Sequence, residues 1–436
     1  MKKKNSFRKI INIIHLWVGI PSALILFIVC LSGTTYVFQK EITRWVDSDK
    51  FKLNPPRNAK PMPVASLVAV LEKEKKEWKV TGLQIPESNR EAWMFSMSPK
   101  GGKEKKQMQQ SAVVSSREGR ENKTHDEGDK AKNSSKEKNA KQPVKNFLVN
   151  PYTGTIQGDA ETTTSRFFNT VMQLHRWLLM DHEIGAVITG TAALLFVLLE
   201  ITGLMLWLPA KLKSWKRWKA WKPGFTVKLK AGWKRINHDL HKALGFYTFI
   251  IITIMGLTGP AMDFDWYKTG FAKTFGTTPI KKGIPPPSSI MPAPGAKALM
   301  MEDLLSKASV VYPYAGDTRI TFAKDSTGSV VFAKTKNGFF ASAAIDRVTL
   351  DQYTGNTLKL ERFSDKKTGE KIVMLTKAIH TGEIFGTFSK ILYFIACLIA
   401  TSLPVTGTLI WLNKRKKKKH FKQPEIVTVN EALASA

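Results

Sequence analysis

The sequence has almost no cysteine. Two residues in 436, Cys30 and Cys397, both lie inside apolar runs. That excludes a disulfide framework, a CxxC redox pair and the CxxCH attachment of a covalent haem. No GxGxxG follows a strand pattern and no Walker A run occurs, so the chain carries no nucleotide or flavin fold of its own. An HExxH run and spaced Cys/His zinc sets are missing as well. Acid is scarce: 35 Asp and Glu stand against 67 Lys and Arg, a net charge of +32. On a soluble chain such an excess points to nucleic acid. Here charged and apolar residues are segregated into blocks, so whole-chain averages mislead.

Four stretches, 13–38, 184–208, 241–261 and 384–412, are apolar enough to cross a bilayer core of about 30 Å as helices of about 20 residues. The first follows Lys2, Lys3, Lys4, Arg8 and Lys9. Its apolar core is longer than the roughly 7–15 residues of a secretory signal and no A-x-A-like site follows, so it reads as a retained span. Residues 2–9 hold five basic residues, 211–235 hold ten and no acid, and 414–422 hold seven. Together they make 22 of the 67, and they orient the spans rather than bind nucleic acid. The segments 1–12, 209–240 and 413–436 are therefore expected in the cytosol, with 39–183 and 262–383 outside. Trp215, Trp218 and Trp221 recur every three residues among lysines, as in an interfacial helix lying on anionic membrane lipid.

The two outer segments read as small α+β units. In the first, a helix is expected over 64–78 and strands over 79–85, 92–97 and 145–156; in the second, a helix over 298–311 and strands over 319–323, 329–335 and 339–350. Residues 99–142 hold no aromatic side chain and are crowded with Lys, Glu, Gln, Ser and Gly, which marks a disordered insertion. The Pro-rich 284–294 reads as a stiff connector.

The chain repeats itself. His15 and His241 are each followed at +4 by glycine and at +16 to +18 by Leu31-Ser32-Gly33 and Leu257-Thr258-Gly259. Ile201-Thr202-Gly203 matches Val405-Thr406-Gly407, with His175 and His380 lying 32 and 31 residues before Trp207 and Trp411. Two copies of span, outer module and span, each with an even number of spans, keep one orientation and relate by an axis along the membrane normal. Such an axis brings His15 to His241 and His175 to His380. Two neutral imidazoles on opposite sides of a plane suit a low-spin haem iron, here one near each membrane face. The plainer reading is that each is an interfacial anchor or a helix cap, and duplicated structural residues repeat too. A helix from His175 to Trp207 would be about 48 Å long, so it either projects outward or breaks near 181–185, and its counterpart near 382–386. His238 and His182 are rivals for the ligand roles. His125, in the insertion, and His420, in the basic tail, are expected in solvent. Asp263 and Asp265 lie just outside the third span, where they serve either a released cation or ordinary interfacial polarity. Thr202-Gly203 and Thr406-Gly407 permit close helix packing.

The pattern HLWVGI…LSG, LHRWLL…ITGLMLWLP, LHKALGF…LTG and HTGEIFG…VTGTLIWL, with NPYTG and DQYTG closing the outer modules, resembles the PepSY-associated transmembrane helix family. The resemblance implies a bacterial cytoplasmic (inner) membrane protein with four transmembrane helices in two pseudo-symmetric repeats, two periplasmic α+β PepSY-like modules, and both termini cytosolic. For its ferric-siderophore reductase branch it also implies two b-type haems and reduction of a ferric siderophore or ferric chelate. The insertion at 99–142 departs from the compact first module of the family. With no nucleotide site in the chain, the electron donor is expected to be a membrane quinol or a cytosolic reductase. Two other classes compete: a cofactor-free protein whose modules bind peptides or restrain proteases, and a metal-chelate permease component. The spans contain few ionisable groups apart from Glu200, and that scarcity disfavours an ion-coupled pump.

Overall fold

Four helices in the computed structural model are long and apolar enough to cross a membrane. The structure describes residues 6–100, 144–280, 284–290 and 296–420. The polar insertion from 101 onward, with His125, lies outside them, as do Lys2, Lys3, Lys4 and part of the Pro-rich connector.

The helices are α1 (Ser6–Tyr36), α2 (Gln39–Val46), α3 (Ser48–Phe51), α4 (Val64–Glu74), α5 (Thr163–Trp177), α6 (His182–Trp207) and α7 (Trp218–Phe225). They continue with α8 (Trp233–Thr258), α9 (Pro260–Asp263), α10 (Asp265–Thr274), α11 (Met301–Val311), α12 (Thr368–Met374), α13 (Thr376–Thr381) and α14 (Gly386–His420). The strands are β1 (Trp78–Ile85), β2 (Trp93–Pro99), β3 (Lys145–Val149), β4 (Ile156–Asp159), β5 (Asp317–Thr321), β6 (Ser329–Thr335), β7 (Ile345–Asp351) and β8 (Thr357–Glu361).

Helices α1, α6, α8 and α14 form a ring in which α1 packs on α6 and α14, and α8 packs on the same two. A helix satisfies all its backbone groups internally, which hydrocarbon demands. The seams are narrow and small: Leu26, Ala192 and Leu199 on one side, Ile252, Ala400 and Leu403 on another. The candidate spans Phe7–Tyr36, His182–Trp207, Trp233–Asp263 and Gly386–Arg415 include polar turns beyond the apolar stretches, because helical hydrogen bonding continues past the hydrophobic core.

The over-long segments break, as their length requires. Helix α5 ends at Trp177, Leu178 and Leu179 take φ of 53° and 60°, and α6 starts at His182. Helix α13 ends at Thr381, Gly382 takes φ of 74°, and α14 starts at Gly386. His175 and His380 therefore sit on short helices at one end of the bundle.

That same end carries the sheet. The two expected α+β units are not separate: one antiparallel sheet of eight strands runs in the order β4-β3-β2-β1-β5-β6-β7-β8. Strands β1 and β5 join the halves, with Leu83 opposite Ile320. Helices α4 and α11 cover one face, over a core that includes Leu67, Leu71, Phe95, Phe332, Val348 and Leu350. A single core thus spans both halves. The strand expected over 145–156 is split by a turn, and β8 escaped sequence reading. The motifs NPYTG and DQYTG are those turns. Asn150 Oδ1 accepts from the Tyr152 N–H and Asp351 Oδ1 from the Tyr353 N–H, both at 2.9 Å. Gly154 and Gly355 close them at φ of 73° and 68°, where a side chain is strained. The sheet is bolted to the bundle by a bridge between Ser342 and Phe385 and by the Phe388 N–H on the Phe339 carbonyl at 3.0 Å.

Candidate functional site

Each of the four repeated histidines rests on a Ser/Thr-Gly step of a neighbouring helix. His15 on α1 lies against Thr202-Gly203 of α6, and His241 on α8 against Thr406-Gly407 of α14. His175 on α5 lies against Ser32-Gly33 of α1, and His380 on α13 against Thr258-Gly259 at the end of α8. The glycine is what lets the ring approach. A methyl group at Gly33 would stand 3.0 Å from Cε1 of His175, and one at Gly407 3.2 Å from Cε1 of His241. Thr202-Gly203 and Thr406-Gly407 are expected from sequence to pack helices closely; the surface they accept is an imidazole.

The hydroxyls and carbonyls beside those glycines settle one nitrogen of every ring. Thr202 Oγ1 donates to the Leu198 carbonyl at 2.8 Å, so it accepts from His15 Nδ1–H at 2.9 Å. Thr406 Oγ1 donates to the Ser402 carbonyl at 3.0 Å and accepts from His241 Nδ1–H at 2.9 Å. His175 Nδ1–H donates to the Val29 carbonyl at 2.8 Å and His380 Nδ1–H to the Met255 carbonyl at 3.0 Å. Nδ1 is the protonated nitrogen throughout, and Nε2 is left free as a ligand.

The rings then meet across the bundle. His15 and His241 have ring centroids 6.4 Å apart at an interplanar angle of 79°, and His175 and His380 6.3 Å apart at 55°. One metal ion held by two imidazoles, with a bond of about 2 Å on each side and about 1.1 Å from Nε2 to each ring centre, would separate the rings by about 6.2 Å. Both pairs match that spacing. On α1 the two levels are 18 residues apart, about 27 Å of helix.

The rivals are placed differently. His238 also lines the space around His15 and His241, with its Nδ1 3.7 Å from the Asp239 carboxylate, and His182 packs edge-on to Trp177 with centroids 5.1 Å apart. Among the described residues, neither has a ring contact with another histidine.

A cavity of ≈ 660 Å³ surrounds the His15–His241 pair, within the usual size range of a cofactor site. Gly19 and Gly245, four residues beyond each histidine, line it with Gly203 and Gly407, so no Cβ from these four positions enters the space. At the end nearer the chain termini it is lined by Arg8, Lys242, Lys414 and Arg415. Arg8 also clamps α1 to α6 through the carbonyls of Leu206 and Leu208. The tryptophan-rich segment closes this end. Trp207 stacks on Phe246 with centroids 3.9 Å apart, and Trp221 and Phe225 pack against Trp207. Trp215 precedes α7, so the three evenly spaced tryptophans do not form one lipid-facing stripe. Trp221 points inward and Trp218 outward, 69% exposed.

Ion pairs hold the other site. Arg176, next to His175, bonds Asp263 at 2.5 Å, which ties α5 to the end of α9. Lys390, buried in α14, bonds Glu41 at 2.6 Å, and Lys40 bonds Glu383 at 2.9 Å, three residues after His380. Asp265 is fully exposed. Burial pushes His175 below the usual imidazole range and His380 down to about 4, with the neighbouring His175 adding to the shift. Both rings stay neutral at physiological pH, as metal ligation requires.

Sequence reading missed Ser32, Thr258 and the carbonyls of Val29 and Met255 as ring partners. A signal was present: the same two-residue step occurs four times, once for each histidine.

These features define a polytopic helical membrane protein with two facing histidine pairs and a sheet domain at one end. A family model for the PepSY-associated TM region matches residues 13–414, and the chain belongs to that family. Comparison with curated proteins finds no match.

Proposed function

We propose that the chain is a di-haem b protein of the bacterial inner membrane that carries electrons outward and reduces a ferric siderophore or ferric chelate in the periplasm. The ring separations of 6.4 and 6.3 Å carry the reading, since they leave room for one iron between each pair. His15 and His241 would hold one haem, His175 and His380 the other. Once bound, the groups supply reversible one-electron iron chemistry.

The chain's own residues do the rest. Thr202, Thr406 and the carbonyls of Val29 and Met255 fix ring orientation and strengthen the Nε2 donors. The glycines of the cavity keep a flat space open, its apolar walls exclude water, and Arg8, Lys242, Lys414 and Arg415 suit the carboxylates that a haem b carries. The basic flanks support cytosolic termini, which makes the sheet periplasmic and His175–His380 the exit side. The matched offsets support two repeats about an axis along the membrane normal. The substrate gives up its iron because hard oxygen donors hold Fe(III) better than Fe(II). A cofactor-free peptide binder or a permease leaves four seated imidazoles without a task.

The visible spectrum of detergent-purified protein is the test. Dithionite reduction is expected to give paired b-type α and Soret bands, and His15→Ala or His380→Ala to remove about half the haem. Absence of the bands ends the proposal, and unchanged haem in both variants rejects the ligand assignment. Failure of ferric siderophores to oxidise the reduced protein removes the substrate.

A further inference from the structure

The lining of the cavity around His15 and His241 includes one acidic side chain. Glu200 lines it from α6, three residues before Gly203, and is 7% exposed. The other buried charged side chains of the described residues are partnered. Asp239 bonds Arg235 at 2.9 Å, Lys390 bonds Glu41 at 2.6 Å, and Asp351 accepts three backbone N–H bonds. Among the described residues, Glu200 has neither a hydrogen bond nor an ion pair.

Its surroundings offer none. Ala23, Leu26, Phe196, Leu199 and Leu403 line the cavity at this level, while the cations line the opposite end. Arg8 bonds the carbonyls of Leu206 and Leu208, six and eight residues beyond Glu200, about 9–12 Å along α6. An unpartnered carboxyl costs about 2–7 kcal/mol or more in an apolar setting. In a span this points to a ligand that brings the missing donor. The ligand must be apolar enough for these walls, must carry a group that hydrogen-bonds a carboxyl, as a ring hydroxyl does, and binds within a helical turn of the seat of His15.

We infer that this end of the cavity is the oxidation site of a membrane quinol, with Glu200 accepting a hydrogen bond and then a proton from a ring hydroxyl. The inference rests on the haem reading above and names its electron donor. Conversion of one quinol to quinone breaks two O–H bonds and releases two electrons and two protons. The electrons leave singly and reduce two ferric chelates to their ferrous forms. The protons pass one at a time to the Glu200 carboxylate and from it to water at the cationic mouth of the cavity.

The test uses full-length, haem-loaded protein in nanodiscs. Binding is read from fluorescence quenching of the quinol analogue 2-heptyl-4-hydroxyquinoline N-oxide, and electron entry from haem reduction by decylubiquinol in stopped flow. The wild type is expected to bind one analogue per chain. Glu200→Leu removes the acceptor and is expected to weaken binding about tenfold, the loss of one charge-assisted hydrogen bond. Glu200→Gln keeps a hydrogen-bonding group but no base, so it retains binding while reduction slows about 100-fold. Wild-type affinity and rate in both variants overturn the inference. So does haem that binds no analogue and accepts electrons only from dithionite or a soluble flavoprotein. Absence of haem bands overturns the underlying reading and this one with it; bands without quinol binding overturn this one alone.

Discussion

Gly33 is the tightest of the four imidazole seats, and replacing it with alanine separates seat from helix. Inside a helix alanine is favoured over glycine by about 1 kcal/mol, so α1 itself is stabilised. The added methyl lies 3.0 Å from Cε1 and 3.2 Å from Nδ1 of His175, so the ring must retreat by several tenths of an ångström. Retreat is resisted from two sides. The Nδ1–H bond to the Val29 carbonyl is 2.8 Å, and the helix carrying the ring is held by Arg176 on Asp263. Overpacking of this kind costs about 1–3 kcal/mol. A ring displaced by that cost lowers haem affinity at the His175–His380 site about 5- to 150-fold, while in the apoprotein the helix propensity of alanine offsets about 1 kcal/mol of it. Haem titration of the apoprotein, followed at the Soret band, resolves two equivalents and assigns the loss. Gly203→Ala, with its nearest contact at an ordinary 3.4 Å, should cost far less, and Gly270→Ala, with open space around it, nothing. Two full-affinity equivalents in Gly33→Ala, or a larger loss in Gly203→Ala, would refute the seat.

Thr406→Val keeps the shape of the His241 seat and removes its acceptor. Haem affinity at that site is expected to drop about 10- to 100-fold, with recovery in Thr406→Ser, as measured by the same titration. Arg176→Met or Asp263→Asn breaks a pair with 35% and 12% side-chain exposure. After discounting for solvent screening, each should cost about 1–2 kcal/mol in thermal unfolding, and the double variant little more than either alone. Acid gives a third check. Burial puts His380 at about 4 and His175 below its usual range. Both rings therefore remain neutral where an exposed imidazole is already cationic, and protonate only on further acidification. Haem uptake at this pair should persist at pH 5.5 and fail as pH approaches 4, whereas failure beginning near 6.5 would show exposed rings.

Much of the bundle was legible because hydrocarbon leaves the backbone few options. Four apolar runs became four long helices, and the arithmetic of length placed breaks near residues 181 and 382. The histidines stood out through equal or nearly equal offsets alone. What escaped was long-range. Pairing of Leu83 with Ile320 joins strands more than two hundred residues apart, and no local pattern announces that two modules share one sheet. The Thr-Gly steps were ambiguous for a similar reason: a small residue on a helix signals close approach but not what approaches. The tryptophan spacing misled because an α-helix begins at Trp218, after the first of the three.

The reciprocal seating has a consequence for biogenesis. The chain up to residue 208 seats both of its own imidazoles, His15 on α6 and His175 on α1, yet offers each pair a single ring. The partners arrive with His241 and His380, and the seat of His241 is on α14, the fourth of the four long helices in chain order. Neither pair is complete in a nascent or truncated chain. On the proposed haem reading, capture of a centre bound from both sides would act as a checkpoint, available only after all four long helices have been inserted and the helices carrying the two rings of each pair have met.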